Sequence, residues 1–279
     1  MIKIVLVGAG GKMGIRVTDN FLKYPQYLLS YLEISEQGIQ NLMDRNIRIS
    51  KQEEVVPSAD VVILSVPDVL IGGISNEIIP RMKPGALVMT LDPAAPLDHV
   101  IYHRDDLGYV IAHPCHPSVF NWEPTEPAFR DFYGGISAKQ SIVVALMSGK
   151  EEDYKLGEKI AQDMYGPIRE THRITLEQMA ILEPAMVETL AQTSMEVIRE
   201  GYEHILTLGV PEAAARDFVL GHLRIQIAVL FREVNGTFSD AAYKISRRAR
   251  PILFKDNWQK IFDMDNIREQ VKDITTETY

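Results

Sequence analysis

The chain has 279 residues, enough for one large domain or two ordinary ones, with 46% hydrophobic and 24% charged residues as in an ordinary globular protein. Its net charge of −9 argues against nucleic acid or an anionic membrane as the main partner, and no run of about 18 apolar residues offers a membrane span. The single cysteine excludes an internal disulfide, and MIKIVLVGAG lacks the pattern of a signal peptide, so a cytoplasmic protein is expected.

Short apolar runs alternate with amphipathic stretches over the first part of the chain. The runs are IKIVLV (2–7), LLSYLE (28–33), VVILSV (61–66), ALVMTL (86–91) and YVIA (109–112). They are continuous rather than alternating, which marks strands buried on both faces of a parallel sheet. The helical stretches between them, such as 13–24 and 69–82, complete a doubly wound α/β pattern. Two later runs, 141–147 and 167–174, flank a charged helix and extend the sheet. After Thr175 nearly everything reads as helix: 175–201, 211–234, 239–248 and a tail from Asn266. Thr175 with Gln178 forms a capping-box pattern, Gly209-Val210-Pro211 is a stop and restart, and Ser239-Asp240 can cap a further helix. A doubly wound α/β domain at 1–174 followed by an all-helical domain at 175–279 is therefore expected.

The run GAGGKMG places Gly8, Gly10, Gly11 and Gly14 between the first strand and the helix that Lys12 and Met13 open. Glycines there allow a tight turn and close approach of a pyrophosphate, while the helix N-terminus offers free N–H groups. The spacing is G-x-x-G-x-x-G rather than the commoner G-x-G-x-x-G. Glu33 closes the second strand 19 residues after Gly14, near the offset expected of a carboxylate that takes the adenine-ribose hydroxyls. It would repel a 2′-phosphate, so the expected cofactor is NAD rather than NADP. Ligands of open α/β sheets lie outside the carboxyl ends of the strands, so Val66, Pro67 and Asp68 of SVPD and the LDPAAP turn (91–96) should line the nicotinamide half. Asp68 can equally serve as the cap of the next helix.

HPCHPSVF (113–120) follows the strand YVIA and sets His113 and His116 at the same edge, in a segment whose prolines exclude regular helix. One imidazole can take the proton of an alcohol as its hydride leaves; one can bind a divalent metal. His113 is the expected base and His116 the expected metal ligand, with Glu183 of ILEPAMVETL as the partner carboxylate, because a buried glutamate needs a partner or a metal. Glu188 would lie about 140° from Glu183 on an α-helix and was not expected to share its face. His222 and Arg224, polar residues in the apolar GHLRIQIAVLF, are candidate substrate ligands, Arg224 through a bidentate grip on a carboxylate. Nothing near Cys115 in sequence suggests a nucleophile.

GAGGKMG resembles the nucleotide loop of dihydrodipicolinate reductases, and the strand-then-HP pattern resembles prephenate dehydrogenases. Taken together, GAGGKMG, AHPCHPSVF, GGI (134–136), THRITLEQMAILEP and GHLRIQIA resemble the phosphogluconate-dehydrogenase-like family that includes D-apionate oxidoisomerases, over most of the chain. The resemblance implies a Rossmann domain followed by a helical one. It also implies NAD-dependent oxidation of a branched polyhydroxy acid coupled to skeletal rearrangement, toward 3-oxo-isoapionate, with a cation bridging ketone and alkoxide oxygens. The lysine–asparagine pair of the 6-phosphogluconate and β-hydroxyacid dehydrogenases is missing, and so is the paired acidic metal motif of ketol-acid reductoisomerases. A prephenate- or β-hydroxyacid-type dehydrogenase stands as the alternative, Arg247, Arg248 and Arg250 favouring the former, and a sensor that binds NAD without turnover as a second. The apolar helices of the second half lead to the expectation of a homodimer.

Overall fold

The apolar runs become β1 (Ile2–Val7), β2 (Tyr27–Leu32), β3 (Val61–Leu64), β4 (Leu87–Thr90), β5 (Gly108–Pro114), β6 (Gln140–Ser148) and β7 (Ile168–Arg173). The structure is a computed structural model and describes residues 1–276. The strands form one sheet in the order β2-β1-β3-β4-β5-β6-β7. Along β1, Ile4 and Leu6 pack on one side with Phe21, Leu42 and Ile160, and Val5 and Val7 on the other with Ile71 and Ile78. Both faces of each central strand are thus dry, which is why the runs are continuous; each such side chain contributes about 2 kcal/mol on burial. The covering helices include α1 (Lys12–Phe21), α2 (Glu36–Met43), α3 (Asp68–Ile78) and α4 (Glu151–Tyr165).

The sheet departs from the all-parallel expectation at one place. β6 runs antiparallel to β5, while β7 is parallel to β6. The chain leaves β5 at its carboxyl edge, and the longest helix between there and β6 is the four-residue turn Glu126–Phe129. With no crossover helix to carry the chain to the far edge, it re-enters from the edge it left. The connection is tied down from inside. Buried Asn20 donates to the carbonyls of Gly135 (2.7 Å) and Met164 (2.9 Å), Gln140 donates to the Tyr165 carbonyl (2.8 Å), and the Asp131 carboxylate accepts the N–H groups of Ile136, Ser137 and Ala138. Gly134 and Gly135 have φ of +70° and +81°, a turn that a side chain would strain.

The helical part begins with the expected capping box: the Thr175 hydroxyl accepts from the Gln178 amide, and the Gln178 side chain accepts from the Thr175 amide. One long helix was expected over 175–201. Instead α5 (Leu176–Ala180) passes into a π-helix, Ile181–Gln192, with Pro184 inside it, and α-geometry resumes in α6 (Thr193–Thr207). Proline has no N–H to give to the α-helical ladder, so the turn widens around it. The 140° separation of Glu183 and Glu188 therefore does not apply, because i to i+5 bonding brings residues five apart to about one turn. Next come α7 (Glu212–Leu230), preceded by Gly209 at φ +89°, and α8 (Asp240–Leu253), capped by the Ser239 hydroxyl on the Ala242 amide. The last helix is α9 (Met264–Thr275). The compact units divide later than the change of pattern at 174: one runs from Met1 to Glu183 and resumes at Arg268, the other is Pro184–Ile267. The first unit keeps Glu183 and reclaims the end of α9, where the Thr275 hydroxyl donates to Asp98 at 2.5 Å.

Candidate active site

The glycine loop forms a cradle with no side chain in it. Gly8 has φ +73°, and a Cβ there would lie 2.4 Å from the Ser65 carbonyl oxygen and 2.7 Å from Val66 Cγ1. A Cβ on Gly14 would lie 1.9 Å from the Gly8 oxygen, and one on Gly10 2.0 Å from the Gly38 oxygen. The turn closes through the Gly11 amide on the Gly8 carbonyl at 3.1 Å. Gly11 is the N-cap of α1, makes no side-chain cap, and no acidic residue occupies the first turn. Exposed Lys12 and half-buried Met13 follow it, at a helix N-terminus whose free N–H groups suit an anion.

Glu33 sits beside this cradle and is already organised. Its carboxylate accepts the Gly10 amide at 2.9 Å, the Ile34 and Ser35 amides at 2.9 and 3.0 Å, and the Ser35 hydroxyl at 3.0 Å. Burial pushes the carboxyl up, but the hydrogen bonds from Ser35, Gly10 and Ile34 outweigh it and hold it below the usual range, so it is a fixed negative charge. Gly38 leaves room for it: a Cβ at Gly38 would lie 2.4 Å from Glu33 Cδ. At the end of β3, Val66 packs on the core and against Gly8, and the Ser65 hydroxyl is buried without a hydrogen-bond partner among the described residues. Pro67 is the N-cap of α3, and Asp68 is its first residue rather than its cap, where a carboxylate favours the helix dipole.

His113 is the second-last residue of β5, paired with Val143 of β6, so the strand continues past YVIA and holds the imidazole on rigid backbone. Its Nδ1 lies 2.7 Å from the Leu91 carbonyl oxygen. A carbonyl only accepts, so Nδ1 carries a hydrogen and Nε2 is the nitrogen left with its lone pair. Nε2 lies 3.4 Å from Glu183 Oε2. A bare imidazole lone pair facing a carboxylate is repulsive, so this pair calls for one positive charge, a proton or a metal ion. Both side chains are about one-fifth exposed, 19% and 21%, so that charge is shielded from solvent yet reachable.

His116 was the expected partner of Glu183; in the structure the carboxylate faces His113. His116 is exposed, has φ +59°, and gives its Nδ1 to the Tyr133 carbonyl at 2.8 Å. The proline after each histidine had suggested two imidazoles with separate tasks on one stiff loop. Only the first remains in the strand. Among the described residues no group of three or more His, Cys, Asp or Glu converges as a metal cage. The Cys115 thiol is pushed up by desolvation and by the nearby Glu183 carboxylate, which disfavours the thiolate a nucleophile needs. In the helical unit, His222 stacks on Phe218 with ring centres 4.0 Å apart and gives Nδ1 to the Phe218 carbonyl, while Arg224 is exposed. Two residues apart on α7, they point to different sides and do not form one grip.

The family model described as Phosphogluconate dehydrogenase (decarboxylating) C-term matches residues 121–275. A D-apionate oxidoisomerase of Cupriavidus necator is 47% identical over 274 residues, which cover 98% of this chain and 99% of that protein. The chain belongs to the D-apionate oxidoisomerase family. A second D-apionate oxidoisomerase, from Rhizobium rhizogenes, is 43% identical over 99% of this chain and 100% of its own. A crystal structure from Cupriavidus necator, described as a semialdehyde dehydrogenase NAD-binding protein in complex with calcium and NAD, superposes with a TM-score of 0.96 at 47% identity, covering 99% of this chain and 100% of that one. D-apionate oxidoisomerase membership sets aside the prephenate- and β-hydroxyacid-dehydrogenase readings as families for this chain.

Sequence reasoning missed one residue of the site. Asp92, in LDPAAP, has Oδ2 3.9 Å from His113 Nδ1 and Oδ1 accepting from the Ala94 amide at 2.8 Å. Burial raises its carboxyl above the ordinary value, partly opposed by the charge of His113. A signal was present: an aspartate just beyond a parallel strand, at the carboxyl edge where sites of open α/β sheets are built.

Proposed function

We propose that this chain is an NAD-dependent D-apionate oxidoisomerase that acts on the hydroxy acid at the carboxyl edge of its sheet. The observation that carries the reading is the His113 Nε2–Glu183 pair, fixed on β5 at that edge. NAD fits the residues present. The empty cradle of Gly8, Gly10, Gly11 and Gly14 suits a pyrophosphate, Lys12 and Met13 open the helix behind it, and Glu33 offers its carboxylate to ribose hydroxyls. Val66, Pro67 and Asp68 line the far side. When bound, NAD supplies the hydride acceptor for the alcohol carbon. His113 Nε2 takes the hydroxyl proton, Leu91 keeps the ring oriented through Nδ1–H, and Glu183 stabilises the imidazolium so formed. Incubating the protein with NAD and a panel of branched and linear sugar acids tests this. NADH formation is expected with D-apionate and not with linear aldonates or prephenate; no turnover of any sugar acid would leave a sensor.

Cofactor choice should follow Glu33. Wild-type protein should prefer NAD in kcat/KM, and Glu33→Ser should narrow the gap to NADP by roughly tenfold or more, because a fixed carboxylate no longer repels the 2′-phosphate. A wild-type preference for NADP contradicts the assignment.

We also propose that Glu183 holds a divalent ion. Its carboxylate lies beside the proposed base, and an ion held by it, off the His113 Nε2, would supply Lewis-acid polarisation of substrate oxygens. With one protein carboxylate, most of its coordination would come from water and substrate oxygens, so binding should be weak. The sequence had placed His116 on the same ion; its Nδ1–H is committed to Tyr133, which leaves Nε2 to serve as that ligand. Calorimetric titration with calcium should show binding to the wild type and at least tenfold weaker binding to Glu183→Gln. Equal affinities would remove Glu183 from the metal site. His222 and Arg224 remain proposed substrate contacts, one from each side of α7.

A homodimer joined through the helical unit accounts for its surface. Neither α6 nor α8 has a buried residue, and Phe218, Phe231 and Leu253 are each about two-thirds exposed, at 67%, 69% and 67%. Sedimentation at the mass of one 31.5 kDa chain would contradict it. The lone cysteine and the absence among the described residues of a helix long and apolar enough to cross a membrane are compatible with the proposed cytoplasmic location.

A further inference from the structure

The helical unit carries an anion-sized cleft that the site above does not use. Arg247 and Arg250 on α8, with Lys255, Asp256, Trp258 and Gln259 just beyond it, surround a space of about 280 Å³. The charge here runs against the rest of the molecule. The chain carries −9 overall, yet residues 240–260 hold six lysines and arginines against two aspartates. Clusters of this kind are usually a solvated face with the side chains spread apart. Here three of the six, Arg247, Arg250 and Lys255, line one concavity with an aromatic wall, and none of the three forms an ion pair among the described residues. Arg250 lies over the Trp258 ring, 5.7 Å from its centre, which holds the guanidinium at the cleft without a carboxylate.

We infer that this cleft binds a small polyhydroxy carboxylate through Arg247, Arg250 and Lys255. Planar guanidinium forks match a carboxylate bidentately, and Lys255 adds a point charge. The other lining groups choose among anions. Asp256 accepts hydroxyl donors and repels a dianion, Gln259 can donate and accept, and the Trp258 face suits the C–H side of a sugar chain. The hydroxyl and C–H partners that Asp256, Gln259 and Trp258 offer suit a polyhydroxy acid better than phosphate. The inference goes beyond the proposed turnover and does not depend on it, because it is read by binding alone.

Trp258 makes the test direct. The chain has two tryptophans, and the other, Trp122, lies in the first unit and is 78% exposed. In full-length Trp122→Phe protein all tryptophan emission comes from Trp258. Titration with D-apionate, without NAD, should change that emission saturably. The neutral lactone of the same acid should do so at least tenfold more weakly, and inorganic phosphate should compete poorly. Arg250→Gln should weaken the response to the acid by roughly tenfold or more, and Arg247→Gln should do likewise while keeping Arg250 on Trp258. Circular dichroism checks that each variant is folded. No saturable response, or a response equal for acid and lactone, overturns the inference. A response kept in a folded Arg247→Gln, Arg250→Gln double variant does the same, and tighter binding of phosphate than of the acid would reassign the cleft to inorganic anions.

Discussion

His113→Asn should lower kcat by about 100-fold or more and leave the affinity for NAD within about twofold of wild type. The asparagine amide can still donate to the Leu91 carbonyl, so the backbone of β5 keeps its neighbour, but no basic nitrogen faces Glu183. Loss in kcat with little change in cofactor binding is what removal of a proton acceptor produces, whereas a packing defect would weaken both. Steady-state kinetics with the sugar acid, beside a direct NAD titration, separate the two. Near-normal turnover in His113→Asn would place the base elsewhere; Asp92, on the other side of the ring, would be the first residue to test.

Gly14→Ala should abolish NAD binding and cost the fold about 3 kcal/mol, the upper range for overpacking. The new methyl would meet the Gly8 carbonyl oxygen at 1.9 Å and the Ala9 backbone at 2.9 Å, and backbone atoms cannot rotate away as a side-chain tip can. Gly11→Ala is the control. Its Cβ meets nothing nearer than the Gly8 oxygen at 3.4 Å, an ordinary contact, and Gly11 has φ −69°. That variant should keep its melting temperature and lose only as much NAD affinity as a methyl in the phosphate path costs. Equal melting temperatures for Gly14→Ala and wild type would show that the loop can open to accommodate the methyl, and the cradle would not be rigid.

Much of this architecture was legible because its signals are local. Continuous apolar runs mark strands buried on two faces, and Ile4 with Val5 on opposite sides of β1 bears that out. The glycine spacing and the Thr175–Gln178 capping box lie within a few residues of the groups they serve. The direction of β6 was not legible, because it depends on what is missing from 115–139 rather than on anything in β6 itself. Nor was the choice between His113 and His116. Both precede a proline and both follow the same strand. What separates them is a carbonyl 22 residues upstream, at Leu91, and a carboxylate on a π-helix that Pro184 widens. An α-helical wheel placed Glu183 and Glu188 on different faces only because it assumed the wrong period. The Glu33 network likewise spans Gly10, Ser35 and Gly38, contacts that no sequence spacing announces.

The most direct measurement follows the carbon skeleton. Isotope-labelled D-apionate is incubated with the purified protein and NAD, and carbon NMR is recorded as NADH accumulates. A rearranged skeleton formed in step with NADH, and lost together with it in His113→Asn, is the expected result. NADH formed with the branched skeleton intact would reduce the chain to a simple dehydrogenase, and neither product with D-apionate, under conditions where NAD is bound, would contradict the assignment outright.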